Sequence, residues 1–352
     1  MAGVPAAPQP GGRTPSAAAR HAEIVGAGIA GLATAAALAQ RGWTVTVHER
    51  SVELRELGAG ISLRENGVRA LEALGILDET VARGERILDW ELRDERQRLL
   101  SSGALDDHAR FFTVTRPALH AADLVVGADG IWSTVRPAAG IESRVRDLEY
   151  LSYRTLLPRV PGDPVGSFPG YWSASRRIAI AGCGPDRVYV FLFCRPDDHA
   201  ARELPGAHAE WQRAFPRQAS VLARVSFDQP WRAIHEVRCD RWRAGRVVLV
   251  GDAAHAMAPT LGQAACIAMH CGVALAQALE PSGDPDTALA AWEAAQRPMV
   301  DATQRYGRAY VRMMTRWPHR LLSARSAVAW ALSRSAPVQR RLAGSAPPLR
   351  VG

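Results

Sequence analysis

The sequence predicts an α/β fold in which a Rossmann-like nucleotide domain is joined to an antiparallel β-sheet domain and followed by C-terminal helices. Three observations carry that expectation. A short apolar strand, the turn Gly26-Ala-Gly28-Ile-Ala-Gly31, a helix and a second strand ending in Glu49-Arg50 follow one another without interruption. Two later runs of β-branched residues, Leu124-Val-Val-Gly-Ala-Asp129-Gly130 and Arg246-Val-Val-Leu-Val-Gly251-Asp252, end in glycine and acid, as buried strands that meet a ligand do. Between them, residues 150–240 alternate apolar and polar positions and carry aromatics, the pattern of an antiparallel sheet.

Taken in order, residues 1–21 are rich in Pro, Ala and Gly without an apolar core, so a disordered leader is expected rather than a signal peptide. Ala22 to Val25 and Thr44 to His48 read as strands around a helix of Leu32 to Gln40. Gly26 permits the tight turn, Gly28 lets backbone approach a pyrophosphate, and Gly31 lets the helix lie on the strand. Glu49 stands where a carboxylate holds the ribose hydroxyls of an adenosine. Gly58-Ala-Gly60-Ile61 reads as a close-approach loop, and Asn66 to Leu74 as a helix with Val68, Leu71 and Leu74 on one face. Ile87 to Leu100 supplies one or two strands, and Arg116-Pro117-Ala-Leu-His120 opens a helix with proline at its first position.

The strand ends at Gly26, Asp129-Gly130 and Gly251-Asp252 are expected on one rim, the ligand position of an open α/β sheet. Beyond Pro259 and Gly262, Gln263 to Leu279 reads as a helix whose N-terminus suits an anionic group. Tyr153 to Leu157, Arg177 to Ala181 and Arg187 to Cys194 are strands. Tyr189, Phe191 and Phe193 share one face of the last, as core or as the wall of an apolar pocket. Thr287 to Arg305 and Arg308 to Arg316 read as helices parted by Gly307. A basic, Ala-rich segment then runs to Leu342, where a packing helix with a solvated arginine face is the better reading than a membrane-surface helix. The domains are therefore a nucleotide domain of residues 22–149 and 241–285, a sheet domain of 150–240, and C-terminal helices over 286–345.

Composition excludes several chemistries. All 43 basic residues are arginine, so neither a Schiff-base lysine nor a P-loop lysine exists, and the +8 charge is too dispersed to suggest nucleic acid. The 47% hydrophobic content supports a real core, and no apolar run reaches membrane-spanning length, so no stable membrane anchor is expected. Five cysteines without metal-ligand spacing read as free thiols in a reducing cytoplasm, with no metal site.

Assembled, these motifs resemble those of the group A flavoprotein monooxygenases, the aromatic-hydroxylase family that includes para-hydroxybenzoate, salicylate and urate hydroxylases. The resemblance rests on the Gly26, Gly28, Gly31 fingerprint with Glu49-Arg50, on Arg116-x-x-Leu-His120, on Asp129-Gly130, and on Gly251-Asp252-Ala-Ala-His255 with Pro259-x-x-Gly262-Gln263. It implies an FAD-binding domain of the glutathione-reductase type. Glu49 would hold the adenosine ribose, Arg116 would lie near the diphosphate, and Asp252 would bind ribityl or ribose hydroxyls. Asp129 would serve both FAD and a transient NAD(P)H, while Gly60, Gly262 and Ala265 would line the flavin by backbone.

The implied activity is hydroxylation of an aromatic or polyketide-like small molecule. NAD(P)H reduces FAD, O2 adds at C4a, and the hydroperoxide delivers oxygen, so that the cofactor carries the hard step. Tyr153, Tyr189 and Phe191 are candidate substrate contacts, no catalytic base is assigned, and His270 reads as a core or surface histidine. A same-fold cyclase without redox chemistry, and a non-catalytic remnant without FAD, are the alternatives. The motivating departure is local: Pro117 to Asp123 leaves seven residues where the family places a helix, a strand and a meander. A stable helix alone needs about 12 residues, so an internal deletion between His120 and Asp123 is expected, with an exposed sheet edge.

Overall fold

A computed structural model describes residues 20–51, 60–82, 84–104, 112–114, 124–279, 284–335 and 349. In the first of three sheets, β1 (His21–Val25) pairs in parallel with β2 (Thr44–His48) on one side and β8 (Val125–Gly127) on the other. β15 (Val247–Leu249) continues the parallel order beyond β8 and carries antiparallel β14 (Arg243–Ala244). Ile24, Val126 and Val248 are fully buried, as continuous apolar strands covered on both faces should be. Among the described residues β2 forms the outer edge, with Thr44, Thr46 and His48 exposed. α1 (Ile29–Ala39) crosses α8 (Ala264–Ala278) closely, since a Cβ at Gly272 would stand 2.3 Å from Thr34 Oγ1.

The second sheet has seven strands in the order β13-β9-β12-β11-β10-β5-β6, where β5 is Asp89–Arg93, β6 Leu99–Ala104, β9 Ser143–Pro158, β10 Ser167–Ser173, β11 Arg176–Gly182, β12 Arg187–Cys194 and β13 Arg232–Cys239. The 87–100 stretch thus supplies two strands, and both join this sheet, β5 running parallel to β10. A small third sheet, β3 (Ile61–Leu63), β7 (Phe112–Val114) and β4 (Glu85–Arg86), adjoins helices α2 (Glu65–Ala73) and α3 (Leu77–Ala82). The helix expected at Arg116 lies outside the described residues.

One face of the large sheet packs Tyr153, Ile178, Ile180, Val190 and Leu192 under α5 (Gly206–Ala214) and α6 (Ala219–Leu222), around Trp211 and Leu222. The opposite face carries Tyr150, Tyr189, Phe191 and Phe193 and turns toward α9 (Pro285–Thr315). Alternation at period two explains why neighbours on β9 and β12 part company in this way.

Two helical expectations are corrected. Gly307 does not separate helices, because α9 runs unbroken for 31 residues from an Asp284 N-cap that accepts from Thr287 N at 3.0 Å. Gly307 instead lets that helix approach the 256–260 loop, a Cβ there meeting Ala258 Cβ at 3.4 Å. The last helix, α10 (Leu322–Ser333), does not show a solvated arginine face: Arg325 is 0% exposed and turned inward.

His255 and His270 both lie in the interior. His255 tilts on Trp242 at 4.9 Å, and His270 Nε2 faces Gln296 Oε1 at 3.1 Å. Burial pushes each imidazole down from the ordinary 6.5 to about 4. Between those values the unfolded chain takes protons that the folded one refuses, so stability is intact above pH 6.5 and falls as the pH drops toward 4. The loss approaches about 3 kcal/mol per histidine. His270→Gln should flatten the fall in urea midpoint between pH 6.5 and 4.5 relative to the parent; an equally steep fall would assign the acid sensitivity elsewhere.

Candidate active site

A cavity of about 1350 Å³ is lined by one face of the seven-stranded sheet, by the loops that follow β1, β8 and β15, and by residues of α8, α9 and α10. That exceeds the ~300–1,000 Å³ of a pocket for one small molecule. Its nucleotide-domain wall is built from strand ends and loops. Gly26 holds φ +107° while its N–H donates to His48 O at 2.7 Å, and a Cβ there would sit 2.5 Å from Ala128 O. At Gly31 a Cβ would stand 2.0 Å from Gly26 O, so only glycine lets α1 lie on the turn. Gly28 differs: it caps α1, lines the cavity, and a Cβ on it would meet nothing within 4 Å. An open cradle at the start of an 11-residue helix with neither side-chain cap nor first-turn acid fits a diphosphate.

The other expected strand ends arrive at the same rim. Gly130, with φ +83°, and Asp252, the first residue of α7 (Asp252–His255), both line the cavity. Gly251, at φ +60°, lets β15 end against α1, its absent Cβ lying 2.5 Å from Ala30 Cβ. Gly60, Pro259, Gly262 and Ala265 also line the cavity. The 60–62 and 259–262 loops meet where a Cβ on Gly262 would approach Ser62 Cβ at 3.2 Å. α8 begins beside them, without side-chain cap or acidic first turn, and directs positive dipole at the cavity.

Several expected contacts have other tasks. Glu49 is tied to its turn, accepting from Ala27 N at 2.8 Å and Ser51 N at 2.9 Å. The Ser51 bond leads in holding its carboxyl below the usual range, against partial burial. Asp129 turns away from the cavity to the start of α4 (Val135–Ala138), where Oδ2 accepts from Thr134 N at 2.7 Å and Val135 N at 3.2 Å. Burial raises its carboxyl, but the bonds from Ser133, Thr134 and Val135 outweigh this and hold it below the usual range. Gln263 is 3% exposed at the α8 N-cap, Arg50 is exposed and not on the cavity wall, and Arg116 lies outside the described residues.

Tyr153 is a correction. It points to the α5 side of the sheet, where its hydroxyl donates to Asp228 Oδ1 at 3.1 Å, because strand alternation gives the cavity to its neighbour Arg154. Tyr189 and Phe191 do line the cavity.

Arg177, not singled out from the sequence, stands on the same wall. It is 7% exposed, with its guanidinium 5.1 Å from the Tyr310 ring centre, 5.5 Å from Phe193 and 6.0 Å from Phe191. Nε and Nη1 are buried without a hydrogen-bond partner, and no carboxylate pairs with it among the described residues. The available signal was parity: Arg177, Ala179 and Ala181 alternate with buried Ile178 and Ile180.

The comparisons with known proteins agree with this geometry. The family model described as the FAD binding domain matches residues 115–304, more than half of the chain, and that of the FAD dependent oxidoreductases matches residues 23–68. A putative 2-heptyl-3-hydroxy-4(1H)-quinolone synthase of Rhodococcus erythropolis is 35% identical across 82% of this chain and 87% of its own length. The chain belongs to the FAD-dependent monooxygenases. Kynurenine 3-monooxygenase of Stenotrophomonas maltophilia is 30% identical across 82% of this monooxygenase and 78% of the relative. The solved structure of 2-methyl-3-hydroxypyridine-5-carboxylic acid oxygenase superposes with a TM-score of 0.79 at 28% identity, covering 93% of this chain and 96% of that one. The glycine turn after β1, the 259–262 loop and the aromatic face of the large sheet line one cavity of this monooxygenase.

Proposed function

We propose that this monooxygenase hydroxylates an electron-rich heteroaromatic ring bearing an ionised or enolisable oxygen and an apolar substituent, with alkyl-4-quinolones the first class to test. The observation that carries the reading is Arg177. A guanidinium buried with two unused donors costs several kcal/mol unless a ligand completes it, and an anionic ring oxygen or carboxylate is the complement. The quinolone relative and the pyridine oxygenase have acidic ring oxygens in the compounds they are named for.

FAD, reduced by NAD(P)H, supplies the oxygen-transfer chemistry when bound. The chain's own residues do the rest. Gly28 and the α1 terminus would take up the diphosphate, Asp252 and the α8 terminus would hold the flavin half, and Glu49, fixed by its own turn, would meet the adenosine ribose. Arg177 draws the substrate's acidic oxygen toward its ionised form, which makes the ring more nucleophilic. Tyr189 and Phe191 set its plane, and Leu92, Trp172 and Ala329 offer an apolar end to an alkyl tail while keeping water away from the reacting carbon.

The edge position of β2 and the short span from Val114 to Val125 support the internal deletion as part of this reading. With that deletion the adenine end would be less enclosed than the flavin end, and the glycine cradle and the α8 slot would do most of the holding of FAD. The test is direct. Protein purified with FAD should be yellow, should oxidise NADH or NADPH faster when a 2-alkyl-4-quinolone is added, and should yield a product one oxygen heavier. Protein that binds FAD but shows no stimulation with quinolones bearing or lacking the tail would end the substrate assignment; colourless protein indifferent to added FAD would end the enzymatic one.

A further inference from the structure

The last helix is inverted with respect to water. α10 buries Arg325, Ser326 and Ala329, and the Arg325 guanidinium donates to Ala174 O at 2.5 Å, pairs with Glu95 at 2.7 Å and lies 5.0 Å from the Trp172 ring. Outward it presents Val328 at 39% exposure, Trp330 at 47% and Leu332 at 45%, with Leu321 at 52% just before it and Leu99 at 41% on the neighbouring β6. A helix whose outer side met only water would show the opposite distribution.

Charge identifies what suits this face. From Ala302 to Gly352 the chain contains ten arginines and neither aspartate nor glutamate. Some are spent internally, Arg308 on Glu236 and Arg325 on Glu95. Arg320 and Arg334, which bracket α10, are exposed and carry no ion pair among the described residues, and Arg334 stacks on Trp330 at 3.8 Å. A second copy would bring the same acid-free segment against itself and repel it. Headgroup phosphates above an apolar layer complement both the arginines and the Trp and Leu between them.

We propose that α10 and its flanking arginines seat the protein on an anionic lipid surface. Among the described residues no helix is long and apolar enough to cross a membrane, so the contact is peripheral. The site is coupled to the cavity: Ala329, Leu332 and Ser333 line it from the inner side of the same helix, so Leu332 touches both the chamber and the outside. Docking therefore sets one end of the chamber against the apolar layer, from which a lipophilic substrate enters without crossing water. This deepens the substrate reading above but is measured without substrate, so either can fail alone.

The experiment is co-sedimentation of the full chain, purified with FAD, with vesicles of phosphatidylcholine alone or mixed equally with phosphatidylglycerol. Partition is expected only onto the mixed vesicles, and high salt should weaken it. Val328→Ser with Trp330→Ser, and separately Arg320→Gln with Arg334→Gln, should each reduce it about tenfold or more. Bound-FAD absorbance and melting temperature report that the variants remain folded; if the apolar pair fails there, the exposed arginine pair decides. No partition onto anionic vesicles, equal partition onto neutral ones, or indifference to the arginine substitutions would overturn the proposal. So would concentration-dependent dimerisation abolished by Trp330→Ser, which would give this face to a second copy.

Discussion

Gly31→Ala should lose both bound FAD and fold stability, whereas Gly28→Ala should lose FAD alone. The two glycines belong to one turn but meet different constraints. At position 31 the added methyl would stand 2.0 Å from Gly26 O and 3.2 Å from Ala128 Cβ, and the first of these is backbone that cannot rotate away. Relief requires α1 to lift from β1, a change on the order of 3 kcal/mol that also moves the helix start from the cradle. At position 28 the methyl meets no protein atom within 4 Å and occupies the space proposed for the diphosphate. Urea denaturation of FAD-free protein should therefore separate the variants, with only Gly31→Ala shifted. FAD titration by flavin fluorescence should show both weakened by about a hundredfold or more, equivalent to two lost charge-assisted contacts. Tight FAD binding by Gly28→Ala would place the diphosphate elsewhere.

Arg177→Gln should lower kcat/KM for an acidic-oxygen substrate by about 10²–10³, the worth of a buried charged hydrogen-bond pair, while leaving FAD affinity unchanged. The companion expectation concerns stability. Three aromatic rings lie 5.1 to 6.0 Å from the guanidinium and return on the order of 1–2 kcal/mol each by cation–π attraction. Against this stands a buried charge with Nε and Nη1 unpartnered. The glutamine variant should then melt at or above the parent's temperature when both are free of substrate, and below it when both are saturated. A variant that melts lower in both conditions would make Arg177 a structural residue, and an unchanged kcat/KM would remove it from substrate recognition.

Much of the site was legible because its demands are local. The fingerprint glycines answer to backbone dihedrals and to contacts a few residues apart: Gly26 needs positive φ, and Gly31 clears the carbonyl five residues before it. Glu49 and Asp129 were legible as acids at strand ends but not in orientation, since each satisfies N–H groups of its own turn. The substrate wall was harder. Tyr153 and Arg154 are adjacent on β9, and which one enters the chamber depends on the side from which the nucleotide domain packs.

Sequence by itself determined the nucleotide fold and the strand ends at Gly26, Asp129-Gly130 and Gly251-Asp252, because strand, turn and helix signals repeat within short windows, and the family resemblance those motifs carry implied FAD. Only the tertiary structure decided that β5 and β6 join the large sheet, that Arg177 lines the cavity with Nε and Nη1 unbonded, and that α10 turns its arginine in and its tryptophan out. Those facts depend on which face of an element meets another, and an alternating strand or a short helix is equally well formed with either face inward until a packing partner selects one.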